Sequence, residues 1–463
     1  MALHLHDTLS RTSILFEPLV PGEVSLYVCG ATVQSSPHVG HLRSMVAFDV
    51  LKRWLQFSGY RVHHVRNITD IDNKILVNAV AEDIPWFELA QKYEREFQWA
   101  DHVVGNIAPS VEPRATGHVT QMVDIIERLI TAGLAYEAEG TVWFAVRGFA
   151  SYGQLSGQRV DEMLDTPEPG AGKRDALDFA LWKGAKPDEP GWPTPWGYGR
   201  PGWHIECSAM AAAYLGSTFD IHGGGRDLAF PHHENERAQS LGAGDGFARY
   251  WMHNAWVTTS GEKMSKSLGN SLRVKELVNI VRPIELRYYL VAPHYRSNVE
   301  MSDAALEEAG TSFRRLESFV IRATELVGDT APAATLPDAF VAALDDDLGT
   351  PAAVAVVHEV VREGNKLITD GASAQLTQTL ASVRGMLGVL GLDPLDSHWG
   401  SQSDGAANAA LDRLVGEVLT RRETARVEKQ WPVADALRDS LAAAGIKVED
   451  TPNGQRWSLA TGD

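Results

Sequence analysis

The stretch from Val24 to Ile68 restricts the fold more than any other part of the chain. Val24-Ser-Leu-Tyr-Val28 has the composition of a strand and is bounded by Pro21-Gly22 and Gly30. From His41 to Leu55, the apolar residues Leu42, Val46, Ala47, Val50, Leu51 and Trp54 recur at helical spacing. Arg61-Val-His-His-Val-Arg-Asn-Ile68 then reads as a second strand. A strand–helix–strand unit implies a parallel sheet with a right-handed crossover. Ligands of such sheets sit beyond the carboxyl ends of the strands, where Cys29 to His41 and Thr69-Asp70 fall.

The chain of 463 residues is long enough for two to four domains. Helical patterns run through the 80s, the 90s and 118–132, and residues 165–202, dense in Pro, Gly and Trp, read as an irregular connection back to the core. From about 303 the pattern is nearly all helical, with breaks expected at Gly328–Pro332 and at His398–Asp404. Pro432 suits the first position of a further helix, and Gly445 to Trp457 suits a small strand or hairpin. The fold class expected is α/β: a Rossmann-like parallel-sheet half carrying an inserted connective segment, then a helical bundle and a small α+β piece.

Hydrophobic content of 44% and charged content of 22% fit a globular protein. No apolar run reaches the ~18–20 residues of a membrane span, and the start lacks the basic and apolar regions of an export signal, so the expected location is the cytoplasm. The net charge of −18 argues against broad, sequence-blind nucleic-acid binding but allows a local basic surface. Cys29 and Cys207 are the two cysteines; in the cytoplasm both would stay reduced.

Three groups of residues carry chemistry. Pro37-His38-Val39-Gly40-His41 opens the first helix, whose free N–H groups and partial positive charge suit phosphate. Gly40 allows close approach, and imidazole donors at His38 and His41 can follow charge developing on an α-phosphate. Lys263-Met264-Ser265-Lys266-Ser267 lies between small residues, as in a loop that closes over a triphosphate, where an ammonium would neutralise departing pyrophosphate. The third group begins a polar helix at Pro231-His232-His233-Glu234-Asn235-Glu236. His232 and Glu236 share a face and, with Cys29 and Cys207, make a tetrad suited to Zn²⁺. Spacing alone leaves His233 and Glu234 as competing ligands.

Taken together, Cys29-Gly-Ala-Thr32, His38-Val-Gly-His41, Arg66-Asn-Ile-Thr-Asp-Ile-Asp72, Arg200-Pro-Gly-Trp-His-Ile-Glu-Cys-Ser-Ala-Met210, Phe230-Pro-His-His-Glu-Asn-Glu236 and Lys263-Met-Ser-Lys-Ser267 resemble, in this order, the motifs of cysteinyl-tRNA synthetases, within the class I aminoacyl-tRNA synthetases. The resemblance covers nearly the whole chain. It implies zinc ligands at Cys29, Cys207, His232 and Glu236, and ATP-binding residues at His38, Gly40, His41, Lys263 and Lys266. It lines the amino-acid pocket with Gly30, Thr32, Thr69, Trp203, His222 and Asp227. Anticodon reading falls to Arg426, Trp431, Asp435, Arg438 and Asp450, beside the basic stretch Arg421, Arg422, Arg426 and Lys429. Gln34 departs from the pattern, since many relatives carry an aromatic residue there.

The resemblance also divides the chain into 1–110 and 196–255 (the two halves of the catalytic domain), 111–195 (the connective insertion), 256–310 (the linker bearing the Lys-Met-Ser-Lys-Ser run), 311–400 (a helical bundle) and 401–463 (the anticodon-binding region). Its implied partners are tRNA(Cys), L-cysteine and ATP, with one Zn²⁺ per chain, Mg²⁺ as helper ion, no membrane and a monomeric state. Zinc makes chemical sense here, because a hydrophobic pocket separates near-isosteres by only ~10²-fold, whereas zinc prefers a thiolate to a neutral alkanol. Two rival readings are a cysteine ligase of mycothiol biosynthesis, which does not need the long C-terminal half, and a non-catalytic tRNA- or zinc-binding homologue. A nicotinamide dehydrogenase is weaker, because Gly223-Gly-Gly225 lies far from the first strand–helix turn.

Overall fold

The computed structural model describes residues 2–163, 170–259, 262–263, 272–451 and 454–459. Two units build its centre. The first is β1 (Glu23–Val28), α1 (Val39–Phe57) and β2 (Arg61–Arg66). The second follows a long insertion: α2 (Trp203–Leu215) leads into β3 (Phe219–Gly225), α3 (Glu234–Gly242) and β4 (Ala248–Asn254). The four strands pair in parallel in the order β4-β3-β1-β2. β1 and β3 are neighbours whose chains leave to opposite sides, which opens a crevice beyond their carboxyl ends. The Cys29 N–H closes the floor of that crevice by donating to the Gly223 carbonyl at 3.0 Å.

α1 starts where its sequence supplies its own cap. The His38 side chain accepts from the Gly40 N–H, and His41 Nδ1 accepts from the His38 N–H, each at 3.1 Å. Leu42, Val46, Val50, Leu51 and Trp54 are buried along the helix. Two buried ionic anchors add to this apolar packing. Arg43 donates to the carbonyls of Leu290 and His294. Asp49 accepts from Arg53 and from the fully buried Arg287, which also donates to the carbonyls of Leu390 and Val104. Burial alone would raise the Asp49 carboxyl, but Arg287 and Arg53 hold it below the ordinary carboxylate range. Removing one member of a buried pair leaves an uncompensated charge. Arg287→Met is therefore expected to cost about 3–5 kcal/mol in chemical denaturation; a loss below about 1 kcal/mol would contradict a charged, structural Asp49–Arg287 pair.

Between β2 and α2 the chain forms helices Asn73–Glu82, Trp86–Val103 and Val119–Thr131, then an antiparallel sheet of Ala135–Ala138, Thr141–Phe144, Phe179–Gly184, Trp192–Thr194 and Gly197–Pro201. This corrects the expectation of an irregular connection over 165–202. The strands are short and interrupted by Pro and Gly, yet Trp182, Phe179 and Leu181 are buried against the main core. Tertiary packing, rather than local propensity, makes them strands.

Beyond β4 come short strands Val257–Thr259, Glu262–Lys263 and Val299–Glu300 and helices Pro283–Val291, Asp303–Val327, Asp338–Asp345, Thr350–Asp370 and Ala374–Leu390. These belong with the sheet to one compact unit, Met1–Asp393. A second unit, Pro394–Asp463, holds helices Ser397–Val427 and Trp431–Ala443 and the hairpin Ile446–Thr451/Gly454–Leu459. Pro432 stands at the start of the second helix, as its sequence suggests. The break expected at His398–Asp404 is corrected: helix runs through those residues from an Asp396 side-chain cap on the His398 N–H. The loop precedes Asp396, and the polar run at 398–404 is helical without being apolar. None of the described helices is long and apolar enough to cross a membrane.

Candidate active site and metal centre

A cavity of about 610 Å³ opens at the crevice. Its lining includes Cys29, Gly30, Thr32, Gln34, His38, Gly40, His41, Trp203 and Asp227, drawn from both halves of the sheet. The His38 and His41 rings lie 3.8 Å apart, and His41 meets Phe97 edge-on. At Gly40 a Cβ would stand 2.9 Å from the His38 ring, so the cap itself requires glycine. At Gly30 a Cβ would meet the Asn67 carbonyl oxygen at 1.8 Å. Gln34 lines the cavity, with its carbonyl held by Asn78 Nδ2 at 2.9 Å.

A buried donor cluster shares Cys29 with the cavity wall. Cys29 follows β1, Cys207 lies on α2, Glu236 lies on α3, and His232 precedes α3 in an irregular helical turn. Cys29, Cys207, His232 and Glu236 each present one ligand atom, all within 4.8 Å of one another. The two Sγ atoms are 3.7 Å apart, Cys29 Sγ is 3.4 Å from Glu236 Oε1, and His232 Nε2 is 3.1 Å from the same oxygen. Two thiolates on a tetrahedral ion with ~2.3 Å bonds stand ~3.8 Å apart, so the sulfur spacing suits such an ion. Sequence spacing left His233 and Glu234 open as ligands. Glu234 instead accepts from the Ser156 N–H and hydroxyl, and His233 falls into a second grouping with Cys29, His222 and Glu236.

Burial pushes the Cys29 thiol well up, reinforced by Cys207 and Glu236. Burial also pulls His232 and His233 well below the ordinary histidine range, with neighbouring imidazoles adding to the effect. Neutral imidazoles are the ligand form. His232 is oriented from both sides: His204 Nδ1 stands 2.9 Å from its Nδ1, and Trp203 stacks on its ring at 4.1 Å. That arrangement leaves His232 Nε2 for the cluster.

Other anticipated residues divide. Trp203 and Asp227 line the cavity, and Asp227 accepts from Trp256 Nε1 at 3.3 Å. Thr69 and His222 do not line it; Thr69 donates to Glu206 at 3.0 Å, and His222 Nε2 stands 2.8 Å from Glu236 Oε2. Lys263 is described in its backbone, paired with Thr258, while Lys266 lies outside the described residues. The chain just past that run pairs with the helix-opening run, because Val39 N–H donates to Leu272 and Val274 N–H donates to Pro37. In the second unit Trp431 is 56% exposed, and Asp435 and Arg438 are also exposed. Arg426 is half-buried and 3.9 Å from Glu423, Arg422 is buried, and of Asp450 the hairpin backbone is described.

Sequence reasoning passed over Asn254, Trp256 and Val257 in the cavity wall and His253 behind the cluster. For His253 the signal was present: alternation along β4 puts Trp251 and His253 on the face where Trp251 stacks with His222.

Comparison with known proteins gives the class first. Residues 15–311 match the family model of the class I (C) catalytic domain of tRNA synthetases, residues 339–394 match the DALR domain, and residues 408–457 match the cysteinyl-tRNA ligase anticodon binding domain. The fold is that of a class I aminoacyl-tRNA synthetase, an α/β catalytic domain followed by helical domains. A cysteine–tRNA ligase of Streptomyces avermitilis is 54% identical over 99% of this chain and 99% of its own length. That of Streptomyces coelicolor is 54% identical over 100% of this chain and 76% of its own length. The chain belongs to the cysteine–tRNA ligase family. Among solved structures, Mycobacterium tuberculosis methionyl-tRNA synthetase in complex with methionyl-adenylate shares the fold, with a TM-score of 0.55 at 16% identity over 80% of this chain and 89% of that one. A putative arginyl-tRNA synthetase from Campylobacter jejuni has a TM-score of 0.51 at 15% identity, covering 80% and 93%.

Proposed function

We propose that the chain activates L-cysteine with ATP to cysteinyl adenylate and transfers the cysteinyl group to the 3′ end of tRNA(Cys). The observation that carries this reading is that the Cys29–Cys207–His232–Glu236 cluster shares Cys29 with the lining of a cavity that also takes in His38, Gly40 and His41. The start of α1 offers N–H groups and two imidazoles to a phosphate. His38 and His41 would steady charge on the α-phosphate as the cysteine carboxylate attacks it, with Mg²⁺ as helper ion. Lys263 and Lys266 would neutralise the departing pyrophosphate. Gly30, Thr32, Trp203 and Asp227 bound the amino-acid space, with Thr69 and His222 supporting it from behind. A bound Zn²⁺ would supply a strong preference for a thiolate over the hydroxyl of serine.

The direct test is transfer of labelled cysteine to tRNA with ATP. Metal removal by a chelator is expected to lower cysteine-dependent pyrophosphate exchange by at least ~10²-fold and to bring the preference over serine down towards the ~10²-fold of a metal-free pocket. Activity and selectivity that survive chelation unchanged would remove zinc from the reading.

Trp431 offers an exposed aromatic face in the region matched to an anticodon-binding domain. Base stacking is worth about 1–3 kcal/mol per base. Trp431→Ala should therefore lower kcat/KM for tRNA by ~10–100-fold and leave cysteine-dependent pyrophosphate exchange untouched. An equal loss in both assays would move Trp431 out of tRNA recognition. The match over 408–457 also supports tRNA, rather than an amino-sugar, as the acceptor.

A further inference from the structure

Cys29 and Glu236 belong to two buried donor groups at once: one with Cys207 and His232, the other with His222 and His233. We infer that the metal centre has two overlapping ligand sets, so that an ion displaced from Cys207 and His232 is held by His222 and His233 without leaving the protein. This rests on the metal reading of the site proposed above.

His233 supplies the main argument. Its side chain is fully buried, and its Nε2 has no hydrogen-bond partner while standing 4.0 Å from Glu236 Oε1. Its other nitrogen is fixed: Nδ1 lies 2.8 Å from His253 Nε2, and His253 Nδ1 lies 2.8 Å from Thr8 Oγ1. If the His233 proton sat on Nε2, a buried donor would be left unsatisfied. With the proton on Nδ1, His233 donates to His253, His253 donates to Thr8, and the Nε2 lone pair faces the cluster. That is the state of a metal ligand whose outer nitrogen is anchored. His222 completes the group: its Nε2 stands 2.8 Å from Glu236 Oε2, and its buried Nδ1 has no hydrogen-bond partner.

The two sets are unequal. The set with Cys207 matches tetrahedral spacing as it stands, whereas His233 must close a longer gap, so the resting ion belongs with the two thiolates. The alternative set trades one sulfur for one nitrogen, a donor group that zinc and cobalt also accept. Because Cys29 and Glu236 are shared, one ion is held at a time.

Co²⁺ loading of the full chain, followed by absorption spectroscopy, tests this without recourse to activity. In the wild-type protein one ion with two sulfur-to-cobalt transitions is expected. Cys207→Ala/His232→Ala should keep one ion per chain with about half the charge-transfer intensity, and adding His233→Ala should abolish it. An independent measurement needs only the single variant His233→Ala, with folding checked by circular dichroism. A chelator should strip its cobalt about tenfold faster than it strips the wild type, since the ion has lost its second holding position. Failure of the wild type to bind cobalt would overturn both the metal reading and this inference. Wild-type binding with no ion in the double variant, or equal stripping rates for His233→Ala and wild type, would overturn the inference alone.

Discussion

Replacing Cys29 by serine is expected to weaken metal binding by ~10²–10³-fold and to lower cysteine activation by a similar factor. Cys29 belongs to both groups of donors, it lines the cavity, and its backbone N–H ties β1 to β3. Structural zinc in small peptides is worth about 10–16 kcal/mol over four ligands, so one thiolate accounts for roughly 3–4 kcal/mol, or a factor of ~10²–10³. The hydroxyl of serine is close in volume, and the backbone bond survives the change, so the fold should persist. Metal content by atomic absorption, pyrophosphate exchange and thermal unfolding together separate the possibilities. Full metal content with full activity would remove Cys29 from the site. An unfolded variant would show instead that the β1–β3 junction depends on the sulfur.

His41→Asn should lower adenylate formation by ~10²–10³-fold, the cost of deleting one donor aimed at developing charge, while the KM for cysteine changes little. Asparagine keeps a side-chain acceptor for the start of α1, where capping is worth about 1 kcal/mol. The comparison with His41→Ala then separates cap from chemistry. If the two variants lose activity equally while only alanine loses stability, the imidazole acts on the nucleotide. If asparagine restores activity, His41 serves the helix start and the catalytic assignment falls. Pre-steady-state measurement of cysteinyl adenylate formation decides between them.

The readable parts of this chain share a physical origin. β1, α1 and β2 follow from apolar periodicity, because each buries one face or stripe within a few residues of its own sequence. Cys29, Cys207, His232 and Glu236 came together through a resemblance in motif order, since no spacing rule links residues contributed by β1, α2 and α3. Their convergence depends on strand order, which is a property of the whole sheet. The strands at Phe179–Gly184 and Gly197–Pro201 were hidden because Gly and Pro dominate their surroundings, and burial together with pairing to distant strands holds them extended. Residues 398–404 misled for the opposite reason: a polar, Gly- and Ser-containing run reads as a break although the helix needs only its Asp396 cap. Asn254 and Trp256 were overlooked because a cavity wall has no local signature, and the partners that define it lie on α1 and in the loop after β1.

Cys29 and Glu236 are 207 positions apart in the chain, and Cys29 and Cys207 are 178 apart. During synthesis the first cysteine leaves the ribosome long before its partners exist, and the antiparallel sheet of the insertion is made in the interval. The donor set can close only after α3 has emerged and β3 has found its place beside β1. Assembly of the donor set is thus a late event in the folding of the nascent chain, and its closure marks that both halves of the sheet have met in the right order.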